Sequence, residues 1–285
     1  MTGHVCVRTR YYKAGPALAI LDHAHALRNG FTRSQNVITA ISHNNAGTYF
    51  SGTTSSLEAF EIMCERYKET TGKKCRSDFN ALFEHILIFS ENVYTDLEQK
   101  HGSERLKRSL LLQLKKYAEK IKKEFGFEPL GIDLHLDEGL IDQQTGKVRR
   151  NIHAHIQFFN YDFDKRVAPL RHLMRKGVDE NGRTQQLNPN FVLMQDIAGN
   201  LFSKAGFKRG ESKDVTGREH LKKEGFVKQE LKLREEEVNR LKRLANDLSV
   251  AIKQKARAAL MKITQTNNQS YVCIFSYWRL FSSEE

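Results

Sequence analysis

"IHAHIQFFNYDF", residues 152–163, sets two histidines two positions apart in a largely apolar run. Alternate residues of a strand point to one side, so His153 and His155 project together while Ala154 faces away. Two imidazole nitrogens held that close suit a single divalent metal. A third ligand lies upstream. "EPLGIDLHLDEG", residues 128–139, also alternates like a strand and carries His135, with Asp137 and Glu138 at its end. The polar segment 140–151, with a turn at Thr145-Gly146, joins the two runs. They are therefore expected to be antiparallel neighbours, with His135 reaching the face of His153 and His155.

For an isolated HxH pair, two hydrogen-bonded histidines in a β-core would be the better explanation. A further histidine and two carboxylates on the adjoining strand favour a metal site. Other HxH metal patterns fit poorly. A cupin would want Glu four residues after the second histidine, where this chain has Phe159. A metallo-β-lactamase would want Asp-His after HxH, where this chain has Gln157-Phe158.

The rest of the chain supplies a sheet and its cover. "HVCVRTRYY" (4–12) reads as a strand and "ALAILDHAHALR" (17–28) as a helix, with Gly15 and Pro16 between them. Residues 42–56 are polar and Gly-rich, a loop by composition. An amphipathic helix stops at Gly72, "ALFEHILIFS" (81–90) is a buried strand, and 105–126 repeats apolar residues at helical spacing up to Gly126. A basic loop and a further helix, "NFVLMQDIAGNLFSKAG", fill 165–212. From 213 to about 262 the chain is highly charged and helical, with Val238, Leu241, Ala245, Leu248 and Ile252 at heptad spacing; a helix hairpin, a short coiled coil or a homodimer is open to it. Residues 263–285 are irregular. The expected architecture is α+β, a central antiparallel sheet flanked by helices and followed by a charged helical extension.

Composition narrows the partners. Among 285 residues the net charge is +12, which favours a polyanion, most often nucleic acid. Hydrophobic residues make up 39%, enough for a core. Cys6, Cys64, Cys75 and Cys273 form no CxxC pair, so they read as thiols in a reducing cytoplasm rather than a disulfide or zinc framework. The first residues carry no apolar run ahead of a cleavage site, so a cytoplasmic protein is expected, and the apolar stretch near residue 275 is too short to span a bilayer.

"DHAHALRNG" (22–30) offers His23, His25 and Arg28. On a helix only one of the two histidines can aim at a given site, whereas His25 and Arg28, three apart, share a face. On this segment alone a solvent-facing surface is the simpler explanation.

Together these residues resemble a family. "HLDE" followed by "HAH" is similar to the HxDE…HxH metal motif of plasmid mobilisation relaxases of the MobV/Pre class, which are HUH-type endonucleases. "YYKAG", "HALR", "TRSQN", "FEHILIFS" and "GFKRG" follow in the family's order, over roughly residues 1–212. The resemblance implies an antiparallel sheet flanked by helices and nicking of one DNA strand at a plasmid transfer origin. It implies His135, His153 and His155 as ligands of a divalent metal, Mn²⁺ or Mg²⁺, and Glu138 as the acidic residue. It also implies a histidine nucleophile from an HxxR motif, His25 beside Arg28. Spacing from Lys13-Ala14-Gly15 would instead select His23, and Tyr11 and Tyr12 are further nucleophile candidates. The chain departs from the family in lacking Pro before its HxH and in placing 14 residues between Glu138 and His153, a longer hairpin. Arg33, Lys147, Arg149, Arg150, Lys208 and Arg209 are the expected phosphate contacts. Competing readings are an HUH replication initiator or transposase that uses a tyrosine, and a non-enzymatic basic DNA-binding protein.

Overall fold

The computed structural model describes residues 3–25, 36–141, 145, 147–174, 180, 188–211, 232, 235–256 and 258. The chain divides into two compact units, Met1–Ser212 and Lys213–Glu285.

In the first unit the order is β1 (Gly3–Tyr12), α1 (Ala14–Ala24), a 3₁₀ turn (Thr39–Asn44), β2 (Ala46–Tyr49), α2 (Ser56–Thr71), β3 (Leu82–Phe89), α3 (Glu91–His101) and α4 (Ser103–Phe125). It continues with β4 (Glu128–His135), β5 (Gly139–Ile141), β6 (Val148–Arg150), β7 (His153–Phe159), α5 (Leu170–Leu173), α6 (Pro189–Phe202) and β8 (Phe207–Arg209). Among the described residues, six strands form one sheet in the order β2-β4-β7-β3-β1-β8, and β5 pairs with β6 in a separate two-stranded ribbon. The expected α+β sheet flanked by helices is present, with one difference. β8 runs parallel to β1, while every other pairing in the sheet is antiparallel. The short α6–β8 connection brings the chain back along the β1 edge in that sense.

Pairing explains the composition of the central strands. β7 is bonded on both sides, to β3 and to β4, so its residues are hidden apart from half-buried His155. One sheet face is apolar: Val5, Val7, Phe83, Leu87, Leu134, Ala154, Ile156 and Phe158 belong to one core with the long helix α4, over β4, and with α6, over β1. Helix α4 presents Leu106, Leu110, Leu114, Tyr117 and Ile121, spaced three or four apart, as one buried stripe. Truncating fully buried Leu114 to Ala costs roughly 2–5 kcal/mol. α4 ends at Gly126, whose φ of 83° is the left-handed conformation that stops a helix cheaply only at glycine. On the other face α1 and α2 cover one end of the sheet through Ala17, Leu21, Ala59, Phe60, Leu82 and Phe159. α2 begins with a capping arrangement in which the Ser55 hydroxyl accepts from the Glu58 N–H and the Glu58 carboxylate accepts from the Thr54 N–H.

Two expectations change. The polar stretch 42–56 is not all loop: it contains β2, an edge strand beside β4. The helix expected over 17–28 starts earlier, at Ala14, and stops at Ala24, where His25 turns extended (ψ 128°). His25 therefore lies beyond the helix, and Arg28 and Arg33 lie outside the described residues. In the second unit residues 235–256 are helical, and Leu241, Leu248 and Ile252 of the heptad series are exposed.

His85 sits on the apolar face, fully buried among Phe83, Phe158 and Tyr117, whose hydroxyl is 2.8 Å from Nδ1. Burial pushes its imidazole down to about 3, so the folded chain holds it neutral. The unfolded chain takes up a proton below the ordinary histidine value near 6.5 and the folded chain does not, so this stability contribution is lost as the pH falls from about 6.5 towards 3. Urea unfolding at pH 7 and pH 5 is expected to show a loss in stability that shrinks by about 2 kcal/mol in His85→Phe. An unchanged difference between the two pH values would mean that His85 is protonated in the fold.

Candidate metal centre

The antiparallel register brings the three histidines together. His135 on β4 stands opposite His153 on β7, and His155 follows two residues on, opposite Asp133. Directly paired residues share a face, so all three rings point away from the α4 core. Their ring centroids lie 5.0–5.1 Å apart, and one nitrogen from each falls within 4.8 Å of the others.

Each ring is also gripped from behind. Nε2 of His135 donates to the Ala24 carbonyl at 2.8 Å. Nδ1 of His153 donates to the Asn151 carbonyl at 2.8 Å. Nδ1 of His155 meets the Glu84 carboxylate at 2.7 Å. A carbonyl only accepts, so these contacts fix the tautomers of His135 and His153. They direct Nδ1 of His135, and Nε2 of His153 and His155, to the common centre. Burial drives the His153 imidazole down to about 3, which keeps it neutral and able to ligate. Three imidazoles with open positions beside them fit a divalent transition ion such as Zn²⁺, and a nearby carboxylate such as Glu138 makes the set suitable for Mn²⁺ as well. Glu138 is buried, with its carboxylate 3.9 Å from Nδ1 of His135, near enough to complete or adjust such a site. Asp137 faces another way, accepting from the Ser42 hydroxyl at 2.6 Å and holding the 3₁₀ turn against the strand end.

Glu84 was not among the expected residues. Burial works to raise its carboxyl, but the hydrogen bond and charge of His155, helped by Tyr12 and Arg10, outweigh that and hold it below the ordinary carboxylate value. The Tyr12 hydroxyl donates to its other oxygen at 3.0 Å, and burial with Glu84 alongside pushes that phenol up to about 12. Tyr12 is thus occupied in orienting Glu84. The signal for Glu84 was present in the sequence: a carboxylate inside "LFEHILIF" must find a partner if the strand is buried.

His25 follows Ala24, the residue whose carbonyl holds His135, and its ring stacks on Tyr49 at 5.6 Å. His23 is exposed on α1, and Tyr11 is 47% exposed at the end of β1. Of the expected phosphate contacts, Lys147, Arg149 and Lys208 are exposed. Arg150 is drawn back onto α3, bonded to Glu98 at 2.8 Å and to the Thr95 hydroxyl at 3.1 Å. Arg209 is paired with Asp196. Two arginines passed over in the sequence share the histidine face: Arg8 and Arg10 stand opposite Ile86 and Glu84, which stand opposite His155 and Gln157. Both are exposed.

No family model matches this chain, and no curated protein matches it. Solved structures do. The Mn-bound relaxase domain of MobM (MOBV; Mob_Pre) in complex with oriT DNA of plasmid pMV158 at pH 6.8 superposes with a TM-score of 0.52 at 15% identity, over 79% of this chain and 98% of that one. A second Mn-bound MobM complex, at pH 5.5, gives 0.52 at 16% identity, over 79% and 99%. A third, with a 23-nucleotide oriT DNA, gives 0.51 at 16% identity, over 80% and 98%. Over about four fifths of its length the chain thus shares the fold of these domains.

Calorimetric titration with Mn²⁺ is expected to give one site per chain. His153→Ala should abolish it, and Glu84→Gln should weaken it roughly 10–100-fold by releasing the His155 ring. Equal affinity in Glu84→Gln would show that the carboxylate does not act on the metal centre.

Proposed function

We propose that this chain is a divergent relaxase of the MobV/Pre class. It would nick one strand of plasmid DNA at a transfer origin and hold the new 5′ end covalently on His25, for mobilisation or site-specific recombination of plasmids in the cytoplasm. One observation carries the reading: a three-histidine centre on the face of a relaxase-type sheet turned away from α4, tied through the Ala24 carbonyl to the end of the helix that delivers His25. The Mn-bound, oriT-bound MobM domains support both the ion and the substrate class.

His135, His153 and His155 would hold the divalent ion, with Glu138 at its edge. Bound there, the ion would act as a Lewis acid on the scissile phosphate. The chain's own residues do the rest. Glu84 and the Ala24 and Asn151 carbonyls orient the ligands. His25 attacks phosphorus and forms a phosphoramidate, which keeps the bond energy for rejoining where hydrolysis would lose it. Arg8, Arg10 and Lys208 give phosphate contacts along the histidine face, joined by Lys147 and Arg149 from the β5–β6 ribbon. Arg150 and Arg209, already paired with carboxylates, rank below them. Arg28 and Arg33 remain candidates from the sequence alone. The exposed Leu241, Leu248 and Ile252 are the surface a second copy would use if the chain dimerises.

Purified chain with Mn²⁺ and supercoiled plasmid carrying the candidate origin is expected to give relaxed product and a protein–DNA adduct, both lost with EDTA and in His25→Ala. His23→Ala should stay active. Loss of the adduct only in Tyr11→Phe/Tyr12→Phe would move the chain to a tyrosine enzyme. DNA binding without nicking under every condition would leave the binding-protein reading.

A further inference from the structure

Tyr49 touches the proposed nucleophile and has no part in the metal centre. It closes β2, opposite Gly131, and its ring lies flat along the sheet rather than standing off it. Two strand glycines make that possible. A Cβ on Gly47 would collide with the Tyr49 hydroxyl, and a Cβ on Gly131 would meet the ring at 2.6 Å. Strand interiors rarely spend glycine without a close approach of this kind.

The ring ends at Asp133, fully buried and opposite His155. The Tyr49 hydroxyl donates its one proton to Asp133 Oδ1 at 2.8 Å. The other carboxylate oxygen receives Gln157 Nε2 at 3.2 Å, with the Ser56 hydroxyl 3.4 Å away. With its proton committed, the phenol oxygen can only accept from His25, whose Nε2 is 3.4 Å away, and the two rings stack within 24° of parallel.

We propose that Tyr49, anchored by Asp133, is a positioning residue for His25. It keeps the proton on Nε2 and leaves the lone pair of Nδ1 to attack phosphorus. This inference rests on the reading of His25 as nucleophile. In the step, the Nδ1–P bond forms as the P–O3′ bond breaks, and the 3′ oxygen takes a proton from water. The ring keeps its Nε2 proton and becomes cationic, and that charge faces the Tyr49 oxygen with the Asp133 carboxylate behind it. The arrangement parallels the carboxylate that orients and stabilises a catalytic imidazolium in hydrolases, with a phenol interposed. Burial and Asp133 push the Tyr49 phenol far above its ordinary value, so it remains a neutral phenol and a poor nucleophile itself.

Single-turnover nicking of the origin oligonucleotide, with Mn²⁺, tests this beside a direct reading of the tautomer. Tyr49→Phe keeps the stack and removes the oxygen. The rate at saturating DNA should fall about 10–100-fold, the loss expected for one charge-coupled hydrogen bond. DNA affinity and Mn²⁺ content should hold. Gly47→Ala, which displaces the hydroxyl, should give the same pattern. In ¹⁵N-histidine spectra of the full chain without DNA, His25 should be the Nε2–H form in wild type and a mixture of tautomers in Tyr49→Phe. A wild-type rate in Tyr49→Phe beside an inactive His25→Ala would overturn the positioning role and leave the nucleophile standing. An active His25→Ala would remove the nucleophile reading itself. An acid-stable adduct lost only in Tyr49→Phe would make Tyr49 the nucleophile. Identical tautomers in both spectra would overturn the proposal even if no DNA is cut.

Discussion

The register of β4 against β7 is the constraint on which the rest depends. With His135 opposite His153, three imidazoles meet on one face and Leu134, Ala154 and Ile156 meet on the other. A slip of one residue would exchange the faces. It would drive the histidines under α4 and expose the apolar row, at a cost far above the fold's margin of stability. The apolar face therefore does the holding for the polar one. Leu114, Tyr117 and Ile121 of α4 touch no proposed functional residue, yet they fix the register that assembles the centre. A register shift between Pro129 and Gly131 lies at the far end of β4 from His135, so the ladder runs unbroken through the histidines.

The polar face is costly to keep. Glu84 and Asp133 are buried in mid-strand, and a buried carboxylate destabilises unless its oxygens are met. Both are met, Glu84 by His155 and Tyr12, and Asp133 by Tyr49 and Gln157. Apolar residues of the same size would serve the fold as well or better. The pairs make sense as orienting devices: each sets the angle of a ring in the proposed site. The same holds for Gly47 and Gly131, which weaken two strands in order to lay one phenol along the sheet.

Where the sequence could be read, periodicity or a stop signal carried it. β1, β3, β7, α2 and α4 follow from apolar spacing and from Gly72 and Gly126, both left-handed in the structure. The histidine cluster followed from strand alternation together with the expected antiparallel pairing of the two strands. β2 was hidden because the glycine that admits Tyr49 makes "AGTY" look like loop. α3 was hidden because only Val93 and Tyr94 of its residues are buried, too few for a stripe. The end of α1 differs from the expected one because "ALAILDHAHALR" is helix-forming throughout, whereas in the structure the helix ends at Ala24, whose carbonyl accepts from His135, a tertiary contact that no local signal announces. Glu84 and Asp133 were legible in principle, as charges inside strands too apolar to be exposed.

That stop shows how the fold and the site share one solution. The last carbonyls of a helix have no partner within it. A metal-ligating histidine has the complementary need, a fixed acceptor for its second nitrogen. The Ala24 carbonyl and Nε2 of His135 answer both, in a contact 111 residues apart in sequence. The bond gives His135 its tautomer, and it sets the distance from helix end to histidine cluster to within a single contact. His25 is the next residue, already turned extended, with Tyr49 waiting on the other side of its ring. A helix one residue longer would carry His25 round with the helical twist and break the contact that positions its neighbour. Ending the helix where it does is thus as much a part of the proposed active site as any side chain in it.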